Sequence, residues 1–341
     1  MNSGWRDSVI SRRRPASARR LLLKGALALA GAAAWNLRAW GAVPETPFDT
    51  IDLDWTDPAR KRDVPVRLYL PQAAAQTQGA RARVPLVVFS HGIGGSRRGY
   101  RYLGEHFAGH GVASLHLQHV GSDRQVWTGG SVFSMIGRLQ DAAQDREAIA
   151  RVQDLSFALD TLLASDIAPR LDARRIVAAG HSYGANTALL AAGARVEREG
   201  RVIELRDPRV VAAIVVSAPP FYGDGDPRRI LASVQVPSLH ITATADVINI
   251  PGYYSGFDDR VAIFDAMGSA TKWLAVFEGG SHSMFTDRSG TGGVLFNPQV
   301  KTATKELSLA FVNKVFGGEG SALESWPRRH AAILARFTAA G

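Results

Sequence analysis

Apolar residues recur along this chain in short runs, separated by stretches with helical spacing. Residues 65–70 (PVRLYL) alternate as a half-buried strand does, while 84–90 (VPLVVFS) form the unbroken apolar run of a strand covered on both faces. Similar runs cover 112–118 (VASLHLQ), 175–180 (RIVAAG), 209–217 (RVVAAIVVS), 236–243 (VPSLHITA) and 272–278 (TKWLAVF). Helical periodicity fills intervals near 99–110, 138–164, 184–195, 259–268 and 302–316. Strands alternating with helices predict a mostly parallel central sheet with helices on both faces. No repeat or low-complexity linker interrupts the pattern, so one α/β domain is expected over 42–341. Residues 121–140 (GSDRQVWTGGSVFSMIGRLQ) exceed a usual loop and are expected as an insertion over the sheet's C-terminal edge, where open α/β sheets bind ligands. The terminal stretch SWPRRHAAILARF is apolar at Ala331, Ile333, Leu334 and Phe337 with Arg328 and Arg329 opposite, which predicts a solvated closing helix rather than one lying on a membrane surface.

Charge changes the picture mainly at the start. The chain carries a net +9, but residues 1–41 hold eight Lys/Arg against Asp7, or 8 − 1 = +7, which leaves 9 − 7 = +2 for the rest. So nearly neutral a body gives no reason to expect nucleic acid. The basic start leads into GALALAGAAAW (25–35), which at 11 residues is shorter than the roughly 20 needed to span a bilayer. This is the layout of an export signal over 1–41. More narrowly, SARRLLLK (17–24) resembles the twin-arginine signal, with Arg19 and Arg20 paired; its serine comes one place early and leucine stands where phenylalanine is common. Cleavage is expected after Ala34 or before Ala42. The expectation is a bacterial protein carried by the twin-arginine machinery to the periplasm or beyond, touching the membrane only if the leader stays uncleaved.

The chain has no cysteine, which excludes disulfides, a thiolate nucleophile and Cys-ligated zinc. Reactive chemistry must then come from serine, histidine, carboxylates or a cofactor. GHSYG (180–184) fits G-x-S-x-G, a pattern that chance alone would give roughly one serine in a hundred at this glycine content, so context decides. An apolar run leads into it and the small-residue helical run ANTALLAAG follows. A sharp strand-to-helix turn needs glycines at the flanking places and lifts the Ser182 hydroxyl clear of the backbone. The same turn sets the Tyr183 N–H at a helix start, facing a developing oxyanion. The glycine loop in VVFSHGIGGSR supplies a second donor, the N–H of Ile93.

A serine hydroxyl needs a base, and the base needs an orienting acid. In this topology both follow the serine, acid first. His91, His106, His110, His116 and His119 precede it, His181 lies within the turn, His240 sits in an apolar strand and His330 in a basic terminal segment. His282, in FEGGSHSMF after the last clear strand, is the expected base. Asp246, ending SLHITATAD at a strand terminus, is the expected acid, with Asp224 or Asp226 in the preceding loop as alternatives; Asp258 and Asp259 are expected to cap the following helix.

These residues resemble the α/β-hydrolase superfamily, and within it the group of predicted dienelactone hydrolases related to the lipoprotein-associated platelet-activating-factor acetylhydrolases. The resemblance runs from about Pro65 to Phe316 and is carried by VVFSHGIGGSRRGYRYLGEHFAGHG, LQHVGSD, GHSYGA and HITATAD. It implies a serine hydrolase with Ser182, Asp246 and His282 as its triad and the Ile93 and Tyr183 N–H groups as its oxyanion hole. Two features depart from it. Dienelactone hydrolases proper use cysteine, which this chain lacks; the acetylhydrolases take their acid after the strand that here ends near Ser217, which keeps Asp224 in play.

The expected activity is hydrolysis of short-chain or phospholipid acyl esters through an acyl-enzyme, with amide or peptide hydrolysis, or ligand binding without catalysis, as alternatives. No cofactor or metal is expected, since the chain has no H-E-x-x-H, no calcium-loop spacing, no P-loop and no complete G-x-G-x-x-G. Trp127, Phe133, Tyr253, Tyr254, Phe257 and Phe285, near the insertion and after the acid and the base, are expected to line an apolar pocket.

Overall fold

A computed structural model describes residues 45–72, 83–223, 226–250, 252–291, 293 and 295–340. The leader expected at 1–41 and Asp224 lie outside them. The strands are β1 Phe48–Asp57, β2 Arg62–Pro71, β3 Val84–Ser90, β4 Ala113–Leu117, β5 Leu171–His181, β6 Arg195–Arg198, β7 Arg201–Glu204, β8 Val210–Val216, β9 Ser238–Ala243, β10 Ile248–Ile250, β11 Tyr253–Ser255, β12 Lys272–Phe277 and β13 Leu334–Ala340. The helices are α1 Arg101–Gly109, α2 Val132–Ala142, α3 Asp145–Leu163, α4 Tyr183–Ala191, α5 Pro227–Leu231, α6 Phe257–Ala266, α7 Phe296–Val315 and α8 Ser321–Arg329. Among the described residues no helix is long and apolar enough to cross a membrane.

Nine strands form one sheet in the order β1-β2-β4-β3-β5-β8-β9-β12-β13. The six from β4 to β12 run parallel, while β2 and β13 join them antiparallel at the two sides. Side chains of the parallel strands alternate between two cores, as the pleat requires. Leu86 and Val88 of β3 and Ala178 of β5 face α3 to α6, packing with Leu155, Leu189, Leu231 and Ile263. Val87, Phe89 and Val177 face the other way, toward Phe107 of α1, Phe311 of α7 and Trp326 of α8. Burial on both faces explains why these strands are continuous apolar runs.

Three parts differ from the expected pattern. The helical interval 138–164 is two helices, broken at Ala143 and Gln144, with α2 beginning inside the 121–140 stretch. The hairpin β6–β7 turns through Glu199 (φ 51°) and Gly200 (φ 72°), a left-handed pair in a polar stretch with no apolar alternation to announce it. The expected terminal helix is corrected: the helix stops at Arg329, and residues 334–340 form β13, antiparallel to β12. The open edge of β12 decides this, because pairing satisfies a full row of its backbone groups, which local helical spacing cannot.

Trp326 seats this terminal segment. Its fully buried ring lies 6.1 Å from Phe277 and 5.6 Å from Phe337, and its Nε1–H donates to the Ala303 carbonyl at 2.9 Å. Trp326→Ala is expected to cost about 3–5 kcal/mol, read as a lower urea midpoint with an unchanged slope. A loss below about 1 kcal/mol would place α8 and β13 outside the cooperative core.

Candidate active site

Ser182 stands between β5 and α4 at φ 56° and ψ −126°, a conformation non-glycine residues rarely adopt. The glycines around it make the turn feasible. A Cβ at Gly180 would strike the Gly184 carbonyl, and one at Gly184 would strike the Ser90 carbonyl at the end of β3. The turn is tied to the next strand by Ser182 N–H donating to the Val216 carbonyl at 2.8 Å.

Past β9, Asp246 is fully buried and saturated with donors. One carboxylate oxygen accepts from His282 Nδ1 at 2.7 Å; the other accepts the Ser217 and Thr242 hydroxyls at 2.5 and 2.8 Å. Ser217 reaches it from a left-handed backbone (φ 52°) directly after β8. Arg260 of α6 adds a buried positive charge 3.6 Å away. Burial alone raises the carboxyl pKa, but the His282 hydrogen bond, the charges of His282 and Arg260 and the Ser217 hydroxyl outweigh it and hold the group well below the usual carboxylate range. With its Nδ1–H committed to Asp246, the neutral His282 ring has its lone pair on Nε2. Of the alternative acids, Asp226 caps α5 through the Arg228 N–H at 2.9 Å, and Asp224 lies outside the described residues. Asp259 takes the Gly256 N–H ahead of α6 at 2.8 Å.

His282 and Ser182 line one cavity of about 460 Å³, together with Ile93 and Tyr183. Among the described residues, neither the Ile93 nor the Tyr183 N–H meets an acceptor within the chain. The 121–140 stretch holds the Ile93 loop from outside: Gly94 N–H donates to the Ser122 carbonyl at 2.8 Å, and Trp127 Nε1–H donates to the Gly94 carbonyl at 3.0 Å. Ile93 itself packs on Val126, Leu139 and Ala142. From inside, fully buried Arg151 of α3 spans three segments. It donates to the His91 carbonyl, to Ser122 Oγ at 2.8 Å and to Thr187 Oγ1 at 2.9 Å, and its guanidinium lies 4.7 Å from the centre of the Tyr183 ring.

Most of the cavity wall is apolar, from Leu139 and Ile149 through Val196 and Ile203 to Phe221, with Asp145 and Arg198 ion-paired at 2.8 Å. Of the six aromatics expected to line it, Trp127 and Tyr253 do. The other four require correction. Phe133 is 85% exposed because α2 turns Leu139 and Ala142 inward instead. Tyr254 is 66% exposed because it alternates with Tyr253 on β11, which sends the two to opposite sides. Phe257 begins α6 and packs on Phe264, Leu274 and Val276; Phe285 is buried in the core with its ring 6.2 Å from Phe277.

One supporting residue was not anticipated. His181 packs its ring against that of His282 at a 33° tilt with ring centres 4.7 Å apart, donates from Nε2 to the His282 carbonyl at 3.0 Å and accepts the Tyr100 hydroxyl on Nδ1 at 2.7 Å. No periodicity marks it, because its partner lies 101 residues away. Arg151 did leave a trace: Glu147, Arg151 and Asp154 fall on the same face of α3 as apolar Val152 and Leu155, where the helical pattern calls for core residues.

The profile described as Alpha/beta hydrolase family matches residues 87–338. Solved structures similar to this chain include a ferulic acid esterase from Streptomyces cinnamoneus, at 22% identity and a TM-score of 0.55, with 87% of this chain and 96% of that one covered. A puromycin hydrolase is similar at 17% identity and a TM-score of 0.55, over 80% of this chain; the chain spans 40% of that protein's length. At these identities the likeness is one of fold. No curated protein sequence matches.

Burial leaves the site with an acid-sensitive frame. Burial, before the nearby charges of His282 and Arg260, lowers His181 to about 3, and burial also lowers His116 to about 4 and His119 and His240 to about 3; His91 is held well below its ordinary value. Because these folded values lie below the unfolded value near 6.5, the neutral rings favour folding above that pH, and stability falls as the unfolded chain gains protons below it. Each ring held neutral in the fold costs stability on the order of 1 kcal/mol per pH unit below the unfolded value, a noticeable part of a typical domain's stability. The urea midpoint is expected to drop steeply between pH 7 and 5; a flat midpoint over that range would show that the rings are not held neutral.

Proposed function

The chain belongs to the alpha/beta hydrolase family, and on that premise we propose that it is an exported serine hydrolase that cleaves carboxylic esters. The observation that carries this reading is the 2.7 Å Asp246–His282 hydrogen bond beside a cavity that also takes in Ser182 and two backbone donors without acceptors. Ser182 Oγ attacks the ester carbonyl while His282 Nε2 takes its proton, and ionised Asp246 fixes the ring tautomer and stabilises the imidazolium. The Ile93 and Tyr183 N–H groups hold the tetrahedral oxyanion, each worth on the order of a hundredfold to a thousandfold in rate. His282 then protonates the departing alcohol. Water repeats the sequence on the acyl-enzyme and frees Ser182.

The apolar wall supports an acyl group of short to moderate length or a phospholipid acyl chain, in keeping with the proposed place among the dienelactone hydrolase and platelet-activating-factor acetylhydrolase group. Export follows the twin-arginine reading of Arg19 and Arg20, with a periplasmic or secreted destination.

Purified protein is expected to hydrolyse p-nitrophenyl acetate, butyrate and octanoate with saturation, and Ser182→Ala at equal folded content to lower kcat by about a thousandfold or more and to abolish fluorophosphonate labelling. Turnover that survives the substitution would remove Ser182 from the chemistry. Replacing Arg19 and Arg20 together by lysine is expected to leave the protein in the cytoplasm of an expressing bacterium, by fractionation and blotting. Unchanged export of that variant would point to the general secretion route.

A further inference from the structure

Away from the cavity, the last turn of α1 gathers an unusual set of groups. His106 and His110 stand four residues apart, on the same side of the helix, and Glu45 reaches the same place from the segment ahead of β1. One donor atom from each lies within 4.8 Å of the other two. None of the three lines the cavity of Ser182.

His106 is the telling member. It is only 9% exposed, yet among the described residues neither of its ring nitrogens has a hydrogen-bond partner. A buried polar group left in that condition is costly and calls for an explanation. His110, whose ring centre is 4.2 Å from that of His106, is already oriented: its Nδ1–H donates to the His106 carbonyl at 2.7 Å, which leaves the Nε2 lone pair outward. An imidazole that offers one nitrogen while the other donates to a backbone carbonyl is arranged as metal-binding histidines are.

We infer that Glu45, His106 and His110 bind a divalent transition-metal ion of zinc's class, which clips the segment ahead of β1 to the end of α1. Two imidazoles and a carboxylate are a donor set that zinc accepts, with water completing a tetrahedron. Around zinc at about 2.0–2.2 Å, neighbouring donors stand roughly 3.4 Å apart, so closing the set takes a small side-chain movement for which exposed Glu45 has room. The backbone there is already in place, since Thr46 N–H donates to the Gly109 carbonyl at 2.7 Å. The carbonyl end of α1 favours a cation. Burial of His106 disfavours the charged imidazole, so the ring offers a lone pair to a metal. Lys305 and Glu306 of α7 also act on His106 with opposite signs, and Glu306 is engaged by His330 and Arg329.

The full chain, stripped of metal by a chelator, is the material for the test. Titration with zinc against a chromophoric chelator is expected to show one equivalent bound, with a rise in Tm, and cobalt is expected to give the visible absorption of a four-coordinate site. Glu45→Gln changes an exposed side chain of the same shape and is expected to weaken zinc by about tenfold or more, and His110→Ala to abolish the equivalent; both variants are checked for folding by circular dichroism. Zinc bound equally by wild type and both folded variants, or no zinc held against the chelator, would overturn the inference.

Discussion

The site rests on how closely α4 approaches the strand ends. Gly184 lies so near the Ser90 carbonyl, and Gly180 so near Gly184, that a single methyl group at either place would force helix and sheet apart. That approach sets the strained Ser182 backbone beside the glycine loop after β3, and it points the start of α4 into the cavity. Strain of this kind, on the order of 1–3 kcal/mol, persists only where the surroundings over-determine it. Here they do: strands are paired on both sides of β5, and the turn is pinned to β8 through Ser182 N–H.

Around that contact the protein has placed polar groups where apolar ones would pack more cheaply. Asp154 accepts from Arg60, Arg62 and His119, His119 accepts the Ser90 hydroxyl, and Arg151 ties α3 to the His91 loop and to α4. Such a network gives direction as well as cohesion, since each hydrogen bond is satisfied in only one arrangement of the strand ends. His181 does the same for His282, gripping its backbone while Asp246 grips its ring. Two restraints at right angles in kind, one on the main chain and one on the side chain, leave the imidazole little freedom.

The sheet's parallel strands were legible because burial on both faces writes itself as unbroken apolar runs such as VPLVVFS. Ser182, Asp246 and His282 stand out in the sequence as candidates because each follows an apolar strand run, and the fold sets Ser182 and His282 on one cavity with Asp246 bonded to the His282 ring. The rest depends on what meets what. Strand β13 carries helical spacing and becomes a strand only because β12 offers an unpaired edge. Tyr253 and Tyr254 are chemically alike, and only the hairpin decides which faces the cavity. The partners of His181 and Arg151 lie dozens of residues off, joined by the fold rather than by any local pattern.

Strand β13 also carries a consequence for solubility. The strand it covers, KWLAVF, has the aromatic and β-branched content and low charge of segments that stack between molecules. With β13 in place the outermost strand is LARFTAA, marked by Arg336 and exposed at Ala335 and Ala339. A chain cut short of Leu334 would present β12 as a bare template, and neighbouring molecules would supply the missing strand to one another. The last residues therefore protect the folded protein from self-association as much as they stabilise it.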